Sequence, residues 1–465
     1  MGDGYVIFED NTGQRWFKIK LLLLMVLLIF LTVLLLYGLN QCKIIHFPVI
    51  NGIATNVSKV VKNVFISYLF ITIILGFLRM LTIFHFCFRQ HRRKKVVREY
   101  IFANKAYSGL YSPPVTIIIP VYNEEVIIRR TIDALLKSNY PLTEILIIDD
   151  GSTDQTASII KKFYSRNRTV KLIQTVNSGK ASALNVGFQK AKGDIVITID
   201  ADSIFHPETI SYLVQNFSDP RVAAVTGNCK IGNIKNQLTM WQHIEYVTSQ
   251  NLEKRAFEEL DCITVVSGSN SAWRRSVVEE LGYYHKDTLA EDSELTIRIL
   301  NAGHKIIFED RAYSHEECPE KVKDFIKQRY RWSYGVLQTA WKHRKSIYTS
   351  PNKALKYFAV PSLAFSYLLF LTSPIIDFLF IIAIFSGTTS IYWFTLLFYF
   401  TDALNSFVAF KMGKEKMKPL MWIFFQRLGY RYLLGYVTWK ALLSALRGNR
   451  VGWGKLERSG NNEYE

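Results

Sequence analysis

EILIIDDGSTD (144–154) and, further along, DIVITIDAD (194–202) decide the fold. Each begins as a short apolar run rich in β-branched residues and ends abruptly in acids and turn formers. Such a run reads as a parallel strand buried on both faces. VTIII (115–119) and VKLIQ (170–174) have the same character, and helical patterns lie between them near 124–138, 153–165 and 180–191. Alternating strands and helices predict an α/β domain with a mostly parallel sheet and right-handed crossovers. Ligands of such sheets bind beyond the carboxyl ends of the strands, where Asp149, Asp150, Asp154, Asp200 and Asp202 fall. Asp and Gly after a strand are ordinary turn formers, so either cluster alone says little. Two acidic clusters at two strand ends of one sheet point to Mg²⁺ or Mn²⁺, hard ions that take oxygen ligands and bridge diphosphates. Neither a Gly-x-x-x-x-Gly-Lys loop nor a Gly-x-Gly-x-x-Gly fingerprint occurs near these strands, so metal and side chains must hold any diphosphate. A third acidic pair, Glu291-Asp292, opens the helical pattern EDSELTIRIL (291–300). It reads equally as helix-dipole compensation or as a general base for a hydroxyl, and spacing does not choose between them.

Around this domain the chain is apolar. The 465 residues are 49% hydrophobic and 14% aromatic, with a net charge of +18; this excludes disorder as the main state. Residues 21–42 carry no charge and suffice for a transmembrane helix, which needs ~20 apolar residues. A cleaved signal peptide is the weaker alternative, since the run is long and lacks a small-residue cleavage site. A second apolar stretch, 64–88, is interrupted by Arg79, expected to snorkel or face another helix, and leads into RQHRRKKVVR (89–98). Further apolar runs cover 357–385, 389–410 and 419–446, the last with Arg427 and Arg431 and therefore either a span or an interfacial helix. Basic residues gather on the cytoplasmic side, as at 89–98 and in KMGKEKMK (411–418). That predicts a multi-pass protein of the plasma (inner) membrane, with residues 43–62 and 386–390 outside and the catalytic region inside. The expected organisation is two N-terminal spans within 1–98, an α/β domain over 99–318, an amphipathic interfacial segment over 319–350, C-terminal spans over 351–446 and a tail, 447–465. Excess positive charge is expected to anchor the protein to anionic lipid, and no nucleic-acid motif accompanies it. Five scattered cysteines without C-x-x-C indicate reduced thiols rather than a disulfide framework.

The set IIIPVYNEE (117–125), DDGSTD (149–154), NSGKASALN (177–185), DAD (200–202), SGSNSAWRR (267–275), AED (290–292) and QRYRW (328–332) resembles the processive glycosyltransferases of family 2, which include cellulose, chitin and hyaluronan synthases. LAEDSELTIRILNAGHKIIFED (289–310) and GNRVGWGKLER (448–458) most resemble bacterial poly-β-1,6-N-acetylglucosamine synthases. The resemblance implies a GT-A fold, Mg²⁺ or Mn²⁺, and an inverting transfer from a UDP-sugar, most simply UDP-N-acetylglucosamine, to a growing β-linked exopolysaccharide that is exported. By it, Tyr122, Glu124 and Asp150 belong to the nucleotide site, and Lys180 approaches the diphosphate. Asp200 and Asp202 form the D-x-D pair, with Asp202 the more direct metal ligand, and Asp292 is the base. Gln328, Arg331 and Trp332 form Q-x-x-R-W, in which Trp332 holds the acceptor sugar. Ser269 and Glu291 border the acceptor and donor. The lipid bilayer and small membrane or deacetylase proteins are the further partners expected. As bare residues, Ser267-Gly268-Ser269 is only a turn, and Trp332 also suits a membrane-interface anchor. A non-processive transferase acting on a lipid carrier is the competing reading; a transporter or scaffold leaves the three acidic clusters without a purpose.

Overall fold

A computed structural model of the protein describes residues 8, 48–103, 111–372 and 389–448. The expected span at 21–42, most of the turn at 386–390 and the tail beyond 448 lie outside the described residues.

The apolar runs form strands β1 (Val115–Val121), β2 (Glu144–Asp149), β3 (Val170–Gln174) and β4 (Ile195–Thr198), adjacent in the order 3-2-1-4 and all parallel. Side chains alternate between the two faces of a strand. Accordingly Ile117, Ile119, Ile145, Ile147 and Ile197 pack into one core, while Ile118, Leu146, Ile148 and Val196 enter the other with Leu184 and Phe188. Burial on both faces explains why β1, β2 and β4 are almost continuously apolar, while β3, at the sheet edge, keeps Lys171 and Gln174 exposed. Each fully buried isoleucine contributes about 1.5–3 kcal/mol.

The second half of the sheet breaks the all-parallel pattern, although six of the eight described strands share one direction. β5 (Ile204–Phe205), β6 (Val222–Ile231), β7 (Ser271–Arg274) and β8 (Lys305–Glu316) extend the order to 3-2-1-4-7-6-8-5. β7 runs antiparallel to both β4 and β6, and β5 antiparallel to β8. Among the described residues the sheet is therefore mixed. β7 is only SAWR and carries no apolar run. Trp273 holds it in place, fully buried, with its indole N–H donating to Thr198 Oγ1 at 3.1 Å.

Helix Pro48–Ala103 runs unbroken through both the expected outer segment and the basic block. Residues 48–62 are thus helical rather than a loop; no proline follows Pro48 in this stretch to interrupt the hydrogen-bond ladder. Two described helical stretches are long and apolar enough to cross a membrane, Phe70–Glu99 and Leu355–Thr372. Arg79 faces neighbouring helices: its guanidinium donates to Glu253 at 2.7 Å and to Ser362 at 2.6 Å. Arg427 and Arg431, in helix Ile423–Arg447, pair with Asp402 of helix Thr389–Gly413 at 2.6 and 2.9 Å.

The basic block differs most from expectation. Much of its charge meets protein rather than lipid. Arg89 and Arg93 pair with Glu259, Arg93 and Lys94 with Glu258, and Arg98 with Glu309 and Asp310. Glu258, Glu309 and Asp310 are buried, so this is a clamp between the long helix and the α/β domain. The four cysteines among the described residues are buried and free.

Candidate active site

The turn after β2 arranges the first half of the site. Gly151 adopts φ +75°, which a glycine takes without strain, and its absent Cβ would lie 2.9 Å from the Asn177 amide nitrogen. The two loops are laced together there. Asp150 accepts hydrogen bonds from the Ser178 and Gly179 amides, both at 2.8 Å. Asn123 accepts from the Thr153 amide at 2.7 Å, and the Glu124 amide donates to Thr156. This lacing delivers Lys180 as the first residue of helix Lys180–Lys190, with its ammonium 2.5 Å from Asp200 Oδ1 and 3.8 Å from Glu291 Oε1. Burial opposes that charge, but Asp200 and Glu291 outweigh it and hold the Lys180 pKa above its ordinary value.

Asp200 and Asp202 follow β4, as the strand-end rule requires. Across from them Glu291 and Asp292 begin helix Glu291–Asn301. Asp292 is oriented by two amides, Ser293 at 2.8 Å and Gly268 at 3.3 Å. Burial raises the pKa of Glu291, the neighbouring Asp292 adds to the rise, and Lys180 opposes it.

Helix Val322–Lys342 closes the site. Phe325 and Tyr334 are fully buried. Gly335 lies against the loop before the acids: a Cβ there would fall 2.7 Å from Ala290. Gln338 accepts from the Leu289 amide at 3.0 Å. Trp332 lines the cavity, and Arg329 covers one of its faces at 4.4 Å. Trp341 is exposed instead.

These pieces enclose a cavity of about 320 Å³. Its lining brings together Lys180, Asp200, Asp202, Ser269, Glu291, Asp292, Gln328, Arg331 and Trp332. Tyr122, Glu124 and Asp150 are not part of that lining; they belong to the adjoining laced loops. Sequence reading missed several lining residues. Glu316 ends β8 and Glu317 follows it, and the strand-end rule applied to SHEEC (314–318) would have found them. Tyr246, Gln250 and Lys254 recur at helical spacing, a polar stripe legible only once that helix is known to face the site. Glu316 is pushed up to about 7, first by burial and then by Asp202 and Asp200; hydrogen bonds from Cys229 and Ser269 oppose the rise. Burial lowers the Lys254 pKa, opposed by Cys229, Glu316 and Asp292.

Seven carboxylates line the cavity (Asp200, Asp202, Glu245, Glu291, Asp292, Glu316, Glu317) against four cations (Lys180, Lys254, Arg329, Arg331). Among the described residues no three His, Cys, Asp or Glu side chains converge as a ready-made metal cage. The excess of carboxylate oxygen suits a hard divalent ion that takes its remaining ligands from a diphosphate.

Residues 116–282 match the family model described as Glycosyl transferase family 2. The chain is 34% identical over 266 residues to the probable glycosyltransferase YdaM of Bacillus subtilis (strain 168), covering 56% of this chain and 63% of that one. It is 29% identical over 354 residues to a poly-beta-1,6-N-acetyl-D-glucosamine synthase of Staphylococcus epidermidis, covering 73% of this chain and 85% of that one. It therefore spans a little under two thirds of the first relative and most of the second. Among solved structures, the mannosyltransferase PcManGT from Pyrobaculum calidifontis, in complex with GDP-Man and Mn²⁺, is similar at 21% identity and a TM-score of 0.48, covering 76% of this chain and 99% of that one. The segment that holds the lysine, the D-x-D pair and the strands behind them thus matches the model of glycosyl transferase family 2.

Proposed function

We propose that the chain is an inverting, processive glycosyltransferase of GT-A type. In this reading it adds N-acetylglucosamine from UDP-N-acetylglucosamine to a β-linked polymer and passes the product across the membrane. The observation that carries the reading is the convergence of Lys180, Asp200, Asp202, Asp292, Gln328, Arg331 and Trp332, from separate segments, on one cavity. Similarity to the Staphylococcus epidermidis synthase over most of its length supports the choice of sugar.

The chemistry is a single displacement. The acceptor hydroxyl oxygen forms a bond to the anomeric carbon, the bond from that carbon to the diphosphate oxygen breaks, and UDP leaves with the electron pair. Asp292 takes the hydroxyl proton as the new bond forms, and an inverting transfer needs one such base. Lys180 and Arg331 place positive charge where the leaving diphosphate gathers negative charge. A bound divalent ion supplies further neutralisation of that diphosphate, and Asp202 would hold it, Asp200 being engaged by Lys180. Trp332 offers a flat face to the C–H face of the acceptor sugar while Arg329 backs the other.

Incubating the purified, membrane-reconstituted chain with each UDP-sugar, and measuring UDP release and product mass, tests the whole reading. Polymer from UDP-N-acetylglucosamine is expected; turnover of another donor alone overturns the sugar assignment. Asp202→Asn or EDTA is expected to abolish polymer formation while thermal unfolding is unchanged. Full turnover under either condition removes the metal from the reaction. The reading also sets the catalytic domain and residues 411–418 in the cytoplasm. Single cysteines introduced at 150 and 415 should resist membrane-impermeant reagents in intact cells, and labelling at either reverses the orientation.

A further inference from the structure

Helix Gln237–Thr248 does not pass smoothly into helix Lys254–Glu259. A π-helical turn, Ser249–Glu253, joins them, closed by the bond from the Lys254 amide to the Ser249 carbonyl. Such turns accommodate an extra residue and recur at functional sites. Here the turn divides its side chains between two destinations. Glu253 reaches outward to Arg79 of the long apolar helix, and Ser249 and Gln250 line the cavity.

Gln250 is only 7% exposed, and its Oε1 has no hydrogen-bond partner among the described residues. A buried carbonyl oxygen without a donor is costly, and such a group calls for an explanation. Rotation about the last side-chain bond exchanges the two ends of the amide, so the oxygen can be turned toward whatever occupies the cavity.

Its neighbours indicate which occupant. On the same helical face, Tyr246 lies one turn before Gln250 and Lys254 one turn after. Tyr246 is 5.9 Å from the Arg329 guanidinium, which itself stacks on Trp332. Lys254 lines the cavity together with Asp292. Gln250 thus lines the same cavity as the proposed sugar platform, Trp332, and the proposed base, Asp292, the space an acceptor sugar must fill.

We infer that the Gln250 carboxamide oxygen accepts a hydrogen bond from a hydroxyl or amide N–H of the acceptor sugar and thereby helps select the acceptor. The inference rests on the glycosyltransferase reading of the site.

The test uses the full chain reconstituted in vesicles, with UDP-N-acetylglucosamine as donor and a short β-linked N-acetylglucosamine oligosaccharide as acceptor. Gln250→Met keeps the length of the side chain and removes the oxygen; Gln250→Glu keeps an oxygen. For Gln250→Met the acceptor KM should rise about tenfold, as expected for one lost hydrogen bond. The rise should appear in the acceptor KM and not in the donor KM. Gln250→Glu should hold the acceptor KM within about threefold. An unchanged acceptor KM in Gln250→Met, or an equal rise in both variants, overturns the assignment. A wild-type chain that neither binds nor turns over the UDP-sugar overturns the reading of the site itself and this inference with it.

Discussion

Asp292→Asn is expected to cut polymer formation by roughly 10²–10⁴-fold, the range spanned by a lost general base, while UDP remains bound. The opposing view is structural. Asp292 sits in the first turn of a helix, and its carboxylate accepts the amide of the very next residue. Were dipole compensation its whole purpose, the substitution would cost only ~0.3–1 kcal/mol of stability and spare turnover. The geometry favours the base. The other carboxylate oxygen accepts from Gly268 across the cavity, and Asp292 lines that cavity. The groups proposed for the donor, Lys180 and Asp202, come from other segments, so nucleotide affinity should survive. Glu291→Gln is the control. Glu291 borders Lys180 at 3.8 Å, and its loss should be felt less in rate than that of Asp292. Turnover and UDP binding measured on the same preparations separate the cases. Wild-type polymerisation by Asp292→Asn, or joint loss of UDP binding and activity, removes Asp292 from the role.

Glu294→Ala should destabilise the folded domain by about 3–5 kcal/mol, the cost of breaking a buried ion pair from one side. Glu294 is fully buried, one helical turn behind Glu291 and Asp292. Its carboxylate meets Arg298 at 2.8 Å, Lys342 and His343 at 2.9 Å and His285 at 3.1 Å. Lys342 and His343 stand at the end of the helix that carries Gln328, Arg331 and Trp332. One carboxylate therefore ties the helix of Asp292 to the helix of Trp332. Burial alone would raise its pKa, but His343, Arg298 and Lys342 outweigh it and hold the group well below the usual carboxylate range. A lowered folded-state pKa means that this stabilisation is whole above the ordinary glutamate pKa and is lost as acid drives the pH down through the folded value. Alanine leaves Lys342 with Asp287 at 2.8 Å but removes the carboxylate partner of Arg298. Thermal unfolding of variant and wild type at neutral pH measures the loss; a shift worth under 1 kcal/mol would show the cluster to be ornamental.

Much of this architecture could be read before any coordinates, for local reasons. β1, β2 and β4 announce themselves because burial on both faces keeps them almost continuously apolar, and Asp200 and Asp202 follow directly from the end of β4. Helix Glu291–Asn301 begins where its acids suggest. The illegible parts depend on partners distant in sequence. Arg79 and Glu253 are separated by 174 positions, and nothing local marks either as the other's counter-ion. β7 stays hidden because SAWR is held by one buried tryptophan rather than by a hydrophobic pattern. Gln250 is invisible for a similar reason: a glutamine within a helix gains meaning only when the helix is seen to face a cavity. The basic block was legible as charge, but charge alone does not distinguish a lipid headgroup from a glutamate.

The clamp between that block and the α/β domain bears on how the protein can be handled. A soluble fragment cut at residue 111 would appear to isolate the catalytic domain neatly. It would keep Arg255 beside Asp310 and Arg311 beside Glu309. It would also strip Glu258 of Arg93, Lys94 and the hydrogen bond from Gln90, leaving a buried anion with no cation to meet it. Truncation for expression or crystallisation should therefore begin ahead of Arg89, so that the arm purifies with the domain it neutralises.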